Sequence, residues 1–406
     1  MIWSLLTALV VAGTHLHGTA HAAASAGPSA CVTFDINWNL LAFGFNGKDY
    51  NAGTQDTWTS SGAPTDITAS GRPPFNSPNT TCYLSQFTNA IYVLNADSAN
   101  PSDIYIYDAT AKSWTTQTVT TGKFDPSNFG AILDHDTNVF YAYSNGELYN
   151  LDMGLLKAAN STPIPWNDVQ EADLSADSDG TSTPGAGTDG YQPVMALAQN
   201  HIHFLGISSL PAGDAKIFVI HFSFMQPAPQ NYGTPFPSTH GRAASFFQDQ
   251  GVQQEFAFIP DDGSATYVIN VETNTTKTLS GPSVKDPFAQ YYASTSALVQ
   301  LTTSGQVNFL AYNKNTTTSG GTWTTISKLP SAASALSPSG SAGAAGAAPT
   351  GSSGGKSGSS GSGSGSSGNS SSGGSGSNSG AVGMGSRGLG GMVLAAGLAV
   401  VGVLVL

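Results

Sequence analysis

Charged side chains are scarce in this sequence: 9% of 406 residues, 13 Lys and Arg against 25 Asp and Glu. The formal net charge is −12, and no stretch gathers Lys or Arg. Phosphate backbones and anionic lipid surfaces select basic faces, so this balance argues against both as partners. Cysteine is nearly absent, with only Cys31 and Cys82. Long amphipathic helical patterns are missing between Ser25 and Pro330, which points away from a helical fold. Long apolar runs are missing too. The two that exist lie at the ends of the sequence, and each falls short of the roughly 20 residues a spanning helix needs.

Those two runs read as addresses. Residues Ile2 to Gly13 (IWSLLTALVVAG) have the length of a signal-peptide core, followed by small residues with A-x-A patterns at Ala20-His21-Ala22 and Ala22-Ala23-Ala24. No Lys or Arg precedes the run, a departure from the usual pattern. Met392 to Leu406 (MVLAAGLAVVGVLVL) has no basic flank after it, so a membrane-spanning segment would lack its inside anchor. Small residues at Asn378, Ser379 and Gly380, then a spacer, then this apolar tail form a signal for a glycosylphosphatidylinositol (GPI) anchor. Asn378 is the expected attachment residue. Residues 331–380 are almost wholly Ser, Gly and Ala. Such a segment buries too little to offset its ordering entropy and is expected to be a disordered stalk, with a reach of about 40 Å. The predicted organisation is a signal peptide (1–23), a folded domain (24–330), the stalk (331–380) and a removed GPI signal (381–406). Loss of Arg387 with the tail takes the net charge from −12 to −13.

This layout places the chain outside the cell. Two cysteines in that compartment predict one disulfide, Cys31–Cys82, worth about 4 kcal/mol in the chain-entropy model. Sequons for N-glycosylation stand at Asn79, Asn160, Asn274, Asn315 and Asn369.

The folded region repeats a hairpin. Ile91–Leu94 pairs with Asp103–Asp108, and Val139–Tyr143 with Glu147–Asp152. Ile202–Leu205 pairs with Lys216–Phe222, Glu255–Ile259 with Ala265–Val271, and Ala297–Leu301 with Gln306–Tyr312. Each is short, rich in Tyr, Phe, Val and Ile, and bounded by turn residues such as Asn145-Gly146 and Pro260-Asp-Asp-Gly263. Recurrence every ~40–50 residues predicts an all-β propeller of about six or seven blades. Cys31–Trp58 supplies a weaker unit, with Val32–Trp38 as a candidate strand for closing the ring. Asp173 to Gly190 reads as a solvated acidic insertion in which Asp173, Asp177, Asp179 and Asp189 offer oxygens for Ca²⁺ without EF-hand spacing.

One unit resembles a kelch blade: Ile91-Tyr-Val-Leu94, then Ser102-Asp-Ile-Tyr-Ile-Tyr-Asp108, then Lys112-Ser-Trp114. Trp323 follows Gly320-Gly321 in a similar way. The family's Gly-Gly pair is replaced by Asn95-Ala96 in the best unit. The resemblance implies a propeller shape and little about activity. Some kelch-like secreted propellers resemble galactose oxidase, a copper enzyme that needs a Tyr joined to a Cys. A Cys31–Cys82 bridge leaves no thiol for that group, and no cofactor is expected. Sialidase-type Asp boxes are not matched, since Ser175–Gly180 lacks the Trp.

Three further features bear on chemistry. His201, His203 and His221 fall on a predicted hairpin and are weak candidates for a metal. Asp35, Asp108, Asp134, Asp136 and Asp152 stand at strand ends, where a glycosidase would gather carboxylates or where Asp simply forms turns. Abundant Tyr and Trp either stack on ligands or fill the space between blades. The low-charge, Ser/Thr-rich, GPI-tethered layout resembles fungal wall-associated proteins. The expected function is a surface or wall glycoprotein displaying a non-enzymatic propeller that binds a glycan or protein ligand. The alternatives are a carbohydrate-active enzyme and a structural wall component.

Overall fold

The structure is a computed structural model that describes residues 27–177 and 181–332. Six antiparallel blades follow one another along the described residues, five of four strands and one of five. Blade 1 is β1 (Cys31–Phe34), β2 (Leu40–Phe45), β3 (Lys48–Gly53) and β4 (Thr65–Asp66). Blade 2 is β5 (Thr81–Ser85), β6 (Ala90–Leu94), β7 (Ile104–Asp108) and β8 (Ser113–Gln117), followed by the short β9 (Val119–Thr120). Blade 3 is β10 (Gly130–Asp134), β11 (Val139–Ser144), β12 (Glu147–Asp152) and, after β13 (Ile164–Pro165), β14 (Asn167–Glu171). Blade 4 is β15 (Met195–Ala198), β16 (His201–Phe204), β17 (Asp214–Val219) and β18 (Phe224–Met225), with β19 (Gln230–Asn231) also on β17. Blade 5 is β20 (Gly241–Ser245), β21 (Glu255–Pro260), β22 (Ala265–Asn270) and β23 (Thr275–Ser280). Blade 6 is β24 (Gln290–Ala293), β25 (Ala297–Leu301), β26 (Val307–Ala311) and β27 (Trp323–Thr325).

The predicted hairpins are the second and third strands of blades 2 to 6. Their sequences are mostly apolar because both sheet faces are covered by neighbouring blades, so no strict alternation survives. In β21, Phe256 and Phe258 face blade 4, whereas Ala257 and Ile259 face blade 6. Six hydrophobic clusters result, one between each adjacent pair of blades. Most tryptophans work at these seams. Trp114 of blade 2 packs on Phe43 of blade 1, with ring centroids 5.2 Å apart. Trp58 of blade 1 meets Phe309 of blade 6 at 5.0 Å. The Trp323 indole N–H of blade 6 donates to the Ser280 carbonyl of blade 5. Asn46-Gly47 and Asn145-Gly146 both take positive φ, as two-residue hairpin turns between right-twisted strands require.

Ring closure departs from the sequence-based expectation. Cys31–Phe34 is not a strand lent to the last blade; it is the inner strand of its own blade, paired to Leu40–Phe43. Inner strands β24 and β1 are neighbours, and the segment after β27 clasps the joint. Ile326, Leu329 and Ala332 join the core between blades 6 and 1. The Lys328 amide donates to Trp58, and the Ala332 amide to Gly305. Gly305 has φ +81°, and a Cβ there would collide with the Ala332 backbone. The packed chain therefore runs two residues past the expected boundary at Pro330. The Cys31–Cys82 disulfide is present and links the inner strands of blades 1 and 2.

Two faces follow from the winding. Connections from strand 2 to 3 and from blade to blade lie at one face, called here the mouth face. Connections from strand 1 to 2 and from 3 to 4 lie at the far face. Both ends of the described chain are at the mouth face: Gly27 donates to Asn79, and Asn46 donates to the Ser331 carbonyl.

Candidate functional site

All six inner strands start at the mouth face and run down a central channel of about 740 Å³. That volume lies within the range of small-ligand sites. At the mouth, its lining is mostly neutral and polar: Asn79, Asn128, Gln192 and Gln290, with Phe129 and Phe288 among them. Deeper in, Tyr83 donates to the Ala131 carbonyl at 3.0 Å and Tyr292 to Gln290 Oε1 at 2.5 Å. Burial pushes the Tyr83 phenol up to about 12 and raises Tyr292 strongly. Both are therefore neutral donors at ordinary pH, not bases.

Blade 5 supplies the charge. Antiparallel pairing of Gly241 with Pro260 brings the residue before β20 beside the residue after β21. His240 Nδ1 thereby lies 2.8 Å from Asp261 Oδ2. The other Asp261 oxygen is buried and has no hydrogen-bond partner among the described residues. One position further, Arg242 lines the channel, and its Nε and Nη2 both donate to the Pro287 carbonyl of blade 6, at 3.2 and 3.0 Å. Burial pushes the Arg242 guanidinium down, opposed by the nearby Asp261, Tyr291 and Asp286. Arg242 and Asp261 are the lining residues with fixed charge. Gly241 itself has no room for a side chain, because a Cβ would press on Ile259 and Phe258.

At the far end the channel meets aromatic rings. Phe247, just after β20, lies 4.4 Å from the His135 ring of blade 3 and 5.2 Å from the Trp38 ring of blade 1. Blades 1, 3 and 5 alternate around the ring, so a side chain that touches groups from all three crosses the axis. Phe247 is thus a stopper, and the channel is a funnel entered from the mouth face. His135 Nδ1 is buried there without a hydrogen-bond partner among the described residues, and burial pushes that imidazole down to about 3.

The predicted chemical residues fall elsewhere. His201 and His203 both lie on β16, but His221 is not on the partner strand. It belongs to a 3-10 turn, Ile220–Phe222, after β17 ends at Val219. His203 is 2% exposed and packs on Phe256 and Tyr232. Among the described residues no group of three or more His, Cys, Asp or Glu is set to hold a metal. The strand-end carboxylates close turns at the far face. Asp35 accepts from the Asn37 and Asn39 amides, Asp108 from Thr110 and Ala111, Asp134 from Asp136 and the Thr137 hydroxyl, and Asp152 from Gly154. Asp136 accepts from Asn200 of blade 4. Asp173 is not part of a solvated loop. It is fully buried, bonded to Ser175 and Thr183, and 3.5 Å from the buried Lys216 ammonium. Asp179 lies outside the described residues.

Asn79, Asn160, Asn274 and Asn315 are all exposed. Asn79 stands on the channel rim. Asn369, Asn378, the signal peptide, the GPI signal and all but the first two residues of the predicted stalk lie outside the described residues.

No family model matches the chain, and no curated protein matches it. Among solved structures, a catalytically inactive variant of virginiamycin B lyase from Staphylococcus aureus, with quinupristin, is similar at a TM-score of 0.39 and 10% identity. The match covers 74% of this chain and 84% of that one.

Proposed function

We propose that this chain is a GPI-anchored glycoprotein of the outer cell surface or wall whose propeller binds a glycan in its central channel. The carrying observation is the channel itself: a funnel of about 740 Å³ with amide side chains at its mouth, phenol oxygens below and aromatic rings between. Amides and phenols pair with sugar hydroxyls, and ring faces cover the apolar side of a pyranose. The terminal address signals support the location. The described chain ends at the mouth face. A protein ligand docking across the rim, and a purely structural wall role, are the other readings of the same display.

One observation favours a second reading. The Asp261 carboxylate orients the His240 imidazole at the rim, the arrangement of a general base held by its partner. A surface carbohydrate-active enzyme would work from this pair and not from the strand-end carboxylates, which are committed to turns. The test is a glycan and wall-polysaccharide panel probed with the secreted protein, with product analysis on every hit. Saturable binding with intact ligand is the expected result. Turnover that disappears in H240Q would replace the binder with the enzyme. Absence of any glycan binding would remove the proposal.

A further inference from the structure

We propose that the channel is selective for carboxylate-bearing sugars and that Arg242 is the residue that reads the carboxylate. This rests on the reading of the channel as a glycan site.

The argument begins with how rare arginine is. The sequence has three, Arg72, Arg242 and Arg387, and the two described ones are used differently. Arg72 grips the buried Asp49 with Nε and Nη2, at 2.8 and 2.6 Å, so its charge is spent inside the fold. Arg242 makes no ion pair within 4.0 Å among the described residues; its Nε and Nη2 share one neutral acceptor, the Pro287 carbonyl. Its Nη1 has no partner among the described residues, and the side chain lines the funnel. Of the nearby carboxylates, Asp286 is bonded to the Phe288 and Thr303 amides and the Thr303 hydroxyl, while Asp261 holds His240 with one oxygen and its other oxygen has no hydrogen-bond partner among the described residues. A guanidinium held in plane by a carbonyl, with its outer edge open in a cavity, is preorganised for an anion. The neutral amides around it, Asn128, Gln192 and Gln290, suit hydroxyls better than a second charge. Carboxylate and hydroxyls together describe an acidic saccharide, such as a hexuronate or a sialoside.

The test is calorimetric titration of the full chain with trigalacturonate and with sialyl-lactose, each beside its methyl ester. The ester keeps the shape and removes the charge. At least one acid is expected to bind tenfold or more tighter than its ester, and which one identifies the source. R242Q should abolish that preference, R242K should keep part of it, and K157Q, an exposed charge away from the channel, should leave it unchanged. If R242Q loses its thermal transition, the R242K titration decides. Equal affinity of acids and esters for the wild-type chain overturns the selectivity, as does a preference that survives both arginine variants. Neutral glycans binding without any acid preference would leave the channel reading intact while this inference fails. No binding of any sugar would end both.

Discussion

At the mouth face Asp261 bonds a histidine on the rim of a channel; at the far face Asp35, Asp108 and Asp134 bond the amides and hydroxyls of their own turns. The same side chain does different work because of what each face must close. The far face carries tight turns at Asp35, Asp108 and Asp134, where the carboxylate holds backbone amides. It also shows Ile36, Phe87, Leu155, Phe222 and Phe224 exposed, and its end of the axis is stopped by Phe247. At the mouth face the connections between blades bring Asn79, Asn128 and Gln192 to the channel lining. One face maintains the ring, and the other holds the channel proposed to bind a ligand.

That contrast sets the order of expected effects. The largest belongs to the wall shared by both faces. Reducing the Cys31–Cys82 bridge, which spans 51 residues, should cost about 4 kcal/mol, read as a lower denaturation midpoint that C31S/C82S reproduces. Next, D134A at the far face removes a buried carboxylate from its turn. It should cost about 1–3 kcal/mol and leave glycan affinity unchanged. Altered affinity in a folded D134A protein would break the division between faces.

A third effect is in pH. His203 and His135 are held near 3 by burial, below their ordinary 6.5. Between those values the unfolded chain binds protons that the folded chain does not. Stability is therefore full above about pH 6.5 and falls as pH drops toward 3, by up to about two protons' worth of slope. H203Q should flatten that slope in equilibrium unfolding, and an unchanged slope would show that the buried imidazole is not its source. The smallest effect sits on the rim. A glycan on Asn79 would crowd the mouth, so N79Q should raise the association rate a few-fold with little change in the midpoint. A slower rate would put the ligand's path elsewhere.

The legible part of the fold was the part with two covered faces. Sequences such as Ala90–Leu94 and Ala297–Leu301 are buried throughout and carry the apolar density that marks a strand. Inner strands were quieter: β20 is Gly-Arg-Ala-Ala-Ser, with no apolar run to mark it as a strand. Outer strands such as β23, Thr-Thr-Lys-Thr-Leu-Ser, are polar because one edge meets water. The ring closure was misread for a related reason, since the clasp at Ile326–Ala332 has no strand pattern to detect.

The site was barely legible. Asp261 was visible as a turn residue, and it is one, but its bond to His240 depends on the pairing of Gly241 with Pro260. Arg242 left a single trace, an isolated cation in a chain with three arginines. The histidines that stood out, His201 and His203, mark a strand and a core instead.

The central claim is that ligand enters the funnel from the mouth face. The most direct measurement is the affinity of the best glycan for A131W, which puts an indole into the channel wall at Ala131, compared with wild type at matched thermal stability. Loss of binding by tenfold or more is the predicted result. Unchanged binding to a folded A131W protein would contradict the claim and move the site off the channel.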